Sequence, residues 1–250
     1  MNTVAYHPSS ALRHKVSRRL TPLFARRDAE VRLERPTVCF TFDDAPASVV
    51  ENALPLLEAR GWKATIYIST GLIGQETHHG RMMTADEIRG VAARGHEIGA
   101  HGHTHSDPSV RPVAEVEREA RINRATFARL GVPEPVSYAW PYGQTRPDLK
   151  RALARHYMSL RGIASVSHRK RVDLNQVGSW KLFGSTVGAC LRELDKLQRR
   201  PGLMTLFTHD VRRDPTEWGC TPEDFAHVAD RVAAMDAKVV SVGEAVRELR

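Results

Sequence analysis

Residues 41–46 read TFDDAP and close the run Thr37-Val38-Cys39-Phe40-Thr41-Phe42, so that a stretch suited to a core strand ends in two adjacent carboxylates, Asp43 and Asp44. Side chains alternate faces along a strand, and a strand continued through both residues would turn one carboxylate inward. Such burial is costly unless the carboxylate meets a metal ion or a paired charge. Asp-Asp-Ala-Pro is equally acceptable turn chemistry, with Pro46 suited to open a helix. The six residues alone do not separate a buried functional pair from a surface turn. The rest of the chain has to.

Outward from this hexapeptide, apolar β-type runs alternate with helix-like segments. Patterning and punctuation predict strands at Val38–Phe42, Ala64–Ile68, Glu97–Ala100, Val136–Trp140, Leu203–Thr208 and Lys238–Val240. Helices are predicted over Val49–Arg60, from a capping box at Thr84 and Glu87 to Gly95, over Pro112–Leu130 with Gly131 as stop, and near Pro147–His156, Val187–Gln198 and Pro222–Ala234. A last helix is capped by Ser241 with Glu244. Between Tyr157 and Phe183 the pattern predicts two short strands around a basic loop, His168–Arg171. Repeated β-then-α units place the chain in the α/β class, with a parallel sheet closed into a barrel or left open and doubly wound.

The 250 residues fit one α/β domain, and no Gly/Ser/Pro-rich linker divides them. No apolar stretch approaches the length of a membrane span. The three cysteines, Cys39, Cys190 and Cys220, are odd in number and form no C-x-x-C pair, which fits a reducing compartment. The first residues lack the apolar core and cleavage site of a signal peptide, so a cytoplasmic location is expected. Net charge is +8, but residues 1–36 carry eight Lys/Arg against three acidic residues, leaving only +3 on the remaining chain. With no nucleic-acid motif beside it, the charge does not mark the body as a nucleic-acid binder. Residues 1–35 are read as a basic arm and 36–250 as the catalytic domain. In the arm, Leu12, Val16, Leu20, Leu23 and Phe24 fall on one helical stripe. A helix so patterned either packs on the barrel bottom or lies on an anionic membrane surface at the inner face.

In a βα barrel the working residues sit where strands end. Here four predicted strand ends carry unusual polar groups: Asp43 and Asp44, His101 and His105, Tyr142 and Gly143, and His209 with Asp210. In His101-Gly102-His103-Thr104-His105 the outer imidazoles are four apart, a spacing that lets both face one metal ion on a helix or tight turn. A polar loop that happens to be histidine-rich has the same sequence. A carboxylate from the first strand would complete a His-His-Asp set with positions left open for water.

Together these segments resemble the polysaccharide deacetylase family, also described as NodB-homology domains or family 4 carbohydrate esterases, over roughly residues 36–245. TFDDAP matches the family's T-F-D-D-G-P except at Ala45. HGHTH matches its H-S/T-x-x-H in histidine spacing, AWPYG at 139–143 matches R-x-P-Y-G with Ala139 in the arginine's place, and LMTLFTHD at 203–210 is similar to its last apolar strand.

The resemblance implies a single-domain deformed (β/α) barrel that removes N-acetyl groups from the amino sugars of a glycan or glycan precursor. It implies a divalent metal, commonly Zn2+, with Co2+ or another ion as an option, held by Asp44, His101 and His105. Asp43 is then the general base, His209 the general acid, charged near neutral pH if a carboxylate lies beside it, and the Tyr142 backbone N–H an oxyanion donor. Arg161, ending the next predicted strand, is the candidate to replace the arginine missing at 139, a surface charge being the alternative. Ser179-Trp180 is the nearest match to the family's Asp-Trp segment. Trp140, Pro141, Tyr142, Trp180 and Trp218 are candidate sugar-binding residues, with core packing as the competing reading for the aromatic ones. Two other functions stay open: hydrolysis of a non-sugar amide or O-acetyl ester, and glycan binding without turnover.

Overall fold

The computed structural model describes residues 21–249. Eight parallel strands form its main sheet: β1 (Thr37–Asp43), β2 (Thr65–Ile68), β3 (Glu97–Ala100), β4 (Ser137–Ala139), β5 (Ser159–Arg161), β6 (Trp180–Lys181), β7 (Leu203–Thr208) and β8 (Lys238–Val239). Their order is β6-β7-β1-β2-β3-β4-β5. The sheet curls into a deformed barrel. β1 is shared on one side, pairing with β8 at Thr37 and Val38 and with β2 from Thr41 to Asp43. At the other end β5 bonds not to β6 itself but to the segment before it, through Gly162 N to Val177 O at 2.8 Å and Val177 N to Leu160 O at 2.9 Å.

All seven residues of β1 are buried, as expected of a parallel strand covered on both faces. Phe40 and Phe42 pack against Phe225 of an outer helix, Pro222–Ala234, with ring centroids 5.5 and 5.7 Å apart. The alternate residues Thr41 and Asp43 face the other way, into the barrel. This parity brings the first carboxylate of TFDDAP inside.

The helices follow the predicted spacing with one instructive break. A single helix over Val49–Arg60 is replaced by two short ones, Ala47–Asn52 and Leu54–Glu58. Pro55 has no N–H to give to the carbonyl four residues back, so the first helix stops. The capping boxes at Thr84/Glu87 and Ser241/Glu244 form, and Gly131 ends Val113–Leu130 at φ +71°.

Tyr157–Phe183 holds three short strands rather than two. Between β5 and β6, Arg171–Asp173 pairs antiparallel with Asp28–Glu30. Its partner lies more than a hundred residues away, so nothing local announces it. The same ribbon ties down part of the predicted arm, and the Arg27 guanidinium donates to the carbonyls of Ala154, Tyr157 and Met158. Thr21, Arg27 and Asp28–Val31 are thereby tied to the domain, while Leu23 and Phe24 of the predicted stripe stand exposed. Most of the predicted amphipathic helix, including Leu12, Val16 and Leu20, lies outside the described residues. Among the described residues no helix is long and apolar enough to cross a membrane.

Candidate active site

β1 ends at Asp43, and the next two residues, Asp44 and Ala45, adopt φ of 64° and 63°. Left-handed backbone costs an L-residue about 1–2 kcal/mol, and such outliers cluster where a site is over-determined by its surroundings. Both carboxylates end up buried, 3% and 1% exposed. They do not share an environment.

Asp43 meets a fixed cation. Arg161, fully buried at the end of β5, places Nη2 2.6 and 2.5 Å from the two Asp43 oxygens. Its guanidinium lies over the rings of Tyr67 and Phe207, 5.2 and 4.9 Å from their centroids. Arg161 Nη1 donates to Gly162 O and Ser179 Oγ. Ala139, which occupies the family's arginine position, is the register partner of Arg161 on the neighbouring parallel strand. The two side chains therefore emerge side by side on the same face, and the cation is displaced by one strand at the same height.

Asp44 instead meets imidazoles. Its Oδ1 is 3.5 Å from His101 Nε2 and 3.2 Å from His105 Nε2. The three ligand atoms of Asp44, His101 and His105 lie within 4.8 Å of one another. His101 Nδ1 is 2.8 Å from the carbonyl oxygen of Ala139, so Nδ1 carries a proton and Nε2 is the ring nitrogen turned toward the carboxylate. A metal-ligating histidine has this same second hydrogen bond. The donor set thus fits a divalent ion. Burial pushes His105 down to about 3. Burial opposes ionisation of Asp44, but His105 and His101 outweigh it and hold that carboxyl well below its ordinary value.

The HGHTH segment reaches this geometry as an irregular loop, with Gly102 at φ +77° and His105 at φ 54°, not as a helical turn. Helix Val113–Leu130 anchors it. Glu119 accepts the backbone N–H groups of His103 and Thr104, and the Asn123 amide donates to the Gly102 carbonyl. His103 turns away to Thr70, its Nδ1 3.0 Å from Oγ1.

His209 follows β7, half-buried, with Nδ1 3.1 Å from the Trp218 carbonyl. Burial, followed by the nearby His79, pushes it down to about 4, against the opposing pull of Asp43 and Asp44. The carboxylate beside it in sequence serves another group. Asp210 Oδ1 lies 3.1 Å from His79 Nδ1 and accepts from the Thr216 hydroxyl.

His79 is the residue that sequence reasoning missed. It is 3% exposed, at the turn of a ribbon formed by Glu76–Thr77 and Gly80–Arg81, and stacks on His209 with centroids 4.6 Å apart and planes 14° from parallel. The only signal was the pair His78-His79 before a glycine.

A cleft of about 490 Å³ opens over these groups and is walled in part by Trp140, Tyr142, Phe183 and Trp218. The Tyr142 backbone is left-handed at φ 55°, and its ring stands edge-on to His105 at 4.6 Å. Two candidate sugar contacts lie elsewhere. Trp180 is not on the cleft wall, and its Nε1 donates to Ser167 Oγ at 3.1 Å. Pro141 is buried at the start of the turn that sets Tyr142. Cys220, with Cys39 and Cys190, is a buried free thiol.

Comparison with known proteins agrees with this geometry. The sequence pattern of the polysaccharide deacetylase family matches residues 30–160, just over half of the chain. A probable peptidoglycan-N-acetylglucosamine deacetylase of Arthroderma benhamiae is 33% identical over 73 residues, 29% of this chain and 16% of that protein. Across the curated relatives it matches, the chain spans between 5% and 40% of their length. Two solved structures share the fold. A family 4 acetyl xylan esterase from Clostridium thermocellum, with a cobalt ion, has a TM-score of 0.58 at 21% identity, covering 83% of this chain and 89% of that one. A family 4 pseudoenzyme from Bacillus anthracis has a TM-score of 0.58 at 15% identity, covering 87% and 68%. With half its length matched and its sheet curled in the same way, the chain belongs to the polysaccharide deacetylase family.

Proposed function

We propose that the protein is a metal-dependent hydrolase that removes N-acetyl groups from amino sugars in a glycan or glycan precursor. The observation that carries this reading is the unlike treatment of two adjacent buried aspartates: Asp43 is gripped by Arg161, and Asp44 faces His101 and His105. A protein that only bound glycans would have no use for a buried base beside a cation site.

A divalent ion held by Asp44, His101 and His105 would supply Lewis acidity toward water and the acyl oxygen, which a poorly electrophilic acetamide needs. Asp43 accepts the proton of the attacking water, and Arg161 holds its carboxylate in place. Negative charge developing on the acyl oxygen is met by the Tyr142 backbone N–H, whose direction follows from the left-handed turn at that residue. The amine leaves only when protonated. His209 delivers that proton from Nε2, since its Nδ1 is held by the Trp218 carbonyl. With Nε2 unprotonated at rest, it takes a proton there from solvent in the cleft as negative charge builds on the acyl oxygen and passes it to the amine, while Asp43 keeps the proton of the attacking water and returns it to solvent once acetate has left.

The test is acetate release from N-acetylated chitooligosaccharides and from bacterial glycan extracts by metal-stripped protein, with and without added zinc or cobalt, beside Asp44→Ala. Metal-dependent acetate absent from the variant is expected. Acetate from O-acetylated xylan alone would move the substrate to esters. No acetate from any substrate despite tight metal binding would leave a glycan-binding protein.

A further inference from the structure

Asp44 has two oxygens, and each faces a different set of imidazoles. Oδ1 faces His101 and His105, while Oδ2 lies 3.8 Å from His79 Nε2. On this second side Asp44, His79 and His209 also bring one ligand atom each within 4.8 Å of the others.

Both histidines of the second set are oriented as ligands are. The Trp218 carbonyl, which can only accept, fixes the proton of His209 on Nδ1 and leaves Nε2 as the lone-pair nitrogen. His79 is held by a carboxylate: Asp210, with no exposed surface, has Oδ1 3.1 Å from Nδ1 as the acceptor of its hydrogen bond, and its other oxygen accepts the Thr216 backbone N–H and lies 2.9 Å from Arg212 Nε. A buried carboxylate behind the Nδ1 of a histidine is the usual outer partner of a ligating imidazole, because it fixes the tautomer and makes Nε2 a better donor. The two rings stack face to face, with centroids 4.6 Å apart and planes 14° from parallel.

We propose that Asp44 Oδ2, His79 and His209 form a second divalent-cation site, so that Asp44 bridges two ions at saturating metal. The proposal rests on the metal site of Asp44, His101 and His105 proposed above. It has a consequence for turnover: an ion seated on His209 Nε2 occupies the lone pair that carries the proton to the leaving amine, so the second ion inhibits. Excess metal and catalysis would then compete for one nitrogen.

The experiment is equilibrium dialysis of metal-stripped full-length protein against rising zinc or cobalt, with bound metal measured by elemental analysis, for the wild type, His79→Asn and Asp44→Ala. In His79→Asn the amide nitrogen can replace Nδ1 toward Asp210, so the fold is kept while Nε2 is removed. Two ions per chain in the wild type, the second entering at higher concentration, falling to one in His79→Asn, are expected, together with loss of inhibition by excess zinc in that variant. A wild type that saturates at one ion, or a variant that still takes two, overturns the second site. One ion in the wild type and none in His79→Asn would make His79 a ligand of the first ion and also overturn it. Metal content that Asp44→Ala leaves unchanged, or a wild type that binds none, would instead fail the underlying metal reading. If His79→Asn does not fold, cobalt absorption spectra of the wild type decide the point, since a second spectroscopically distinct ion must appear as loading passes one equivalent.

Discussion

Two neighbouring residues of one turn, Asp43 and Asp44, solve the same problem in opposite ways. Each is a carboxylate with almost no exposed surface. Asp43 is neutralised by a cation that belongs to the chain, an arginine pinned between Tyr67 and Phe207. Asp44 sits among imidazoles, with Nε2 of His101 and of His105 turned toward it and the His101 Nδ1 proton directed away, to the Ala139 carbonyl. A buried carboxylate compensated from within is held in one orientation without any ion from solution, which suits a group that must take a proton from a fixed direction. One compensated from solution makes a site for an exchangeable ion. The comparison therefore assigns different dependencies to the two residues, and each can be broken separately.

The largest effect is expected from Asp44→Ala. It should remove the ion together with the electrostatic stabilisation it gives the transition state, where even a single oxyanion donor contributes about 10²–10³-fold. Activity should fall by at least about 10³-fold and bound metal to background, read by acetate release and elemental analysis. Activity loss with metal content intact would dissolve the contrast.

Arg161→Ala should give the complementary result: turnover reduced by about 10²–10³-fold, within the range for losing general base catalysis, with metal content unchanged. Leaving the Asp43 carboxylate buried without a partner should also cost about 3–5 kcal/mol of stability, visible as a lower midpoint in denaturant. Arg161→Lys should recover little, because a point charge does not reproduce the planar, ring-stacked guanidinium. The sharper test adds Ala139→Arg to Arg161→Ala. Ala139 and Arg161 are register partners on adjacent parallel strands, so an arginine restored at 139 starts from the same height and face. Partial recovery of turnover is expected. None would mean that the two positions are not interchangeable supports for Asp43.

The contrast between these two aspartates also marks what the sequence made legible. Asp43, Asp44, His101, His105 and His209 stand at the ends of apolar strands inside short contiguous patterns, so local spacing finds them. Arg161 was reachable only by supposing that the next strand ran at the same register. His79 was not reachable. Its ribbon is placed by backbone contacts to the Asp43–Pro46 turn, Met83 N to Ala45 O at 2.9 Å and the bridge between Pro46 and Met82, and no periodicity encodes a contact between a loop and a turn. Trp180 was misplaced for a related reason: its partner is Ser167 across a loop, and an aromatic residue beside a motif gap reads alike whether it faces a cleft or a hydroxyl. At Ala45 the pattern departs from the family's glycine, yet the left-handed turn still forms, φ 63°. The surrounding packing decides the backbone there, not the residue's preference.

The same distinction between internal and external compensation extends to imidazoles, and yields the smallest predicted effect. His168 lies far from the Asp43–Pro46 turn, nearly buried, with Nε2 accepting the Gly178 N–H at 3.0 Å, and burial pushes it down to about 4. The folded protein holds it neutral, while the unfolded chain protonates it near the ordinary value of 6.5. More protons are bound in the unfolded state between those values, so stability is intact above about pH 6.5 and falls as pH drops toward 4, by about 3 kcal/mol from this residue. His105, pushed down to about 3, adds loss in the same direction, but its share is linked to the ion, because protons and metal compete for the same nitrogen. His168→Gln keeps an acceptor for Gly178 and removes the titration. In metal-stripped protein the variant should be less stable than the wild type at pH 7 and should lose less between pH 7 and 4.5, measured by thermal unfolding. Adding metal should steepen the pH dependence of both proteins equally, since the metal-linked imidazoles are untouched. If the two proteins run parallel without metal, the acid loss belongs to the imidazoles around Asp44 alone, and burial at His168 is compensated within the fold as fully as it is at Asp43.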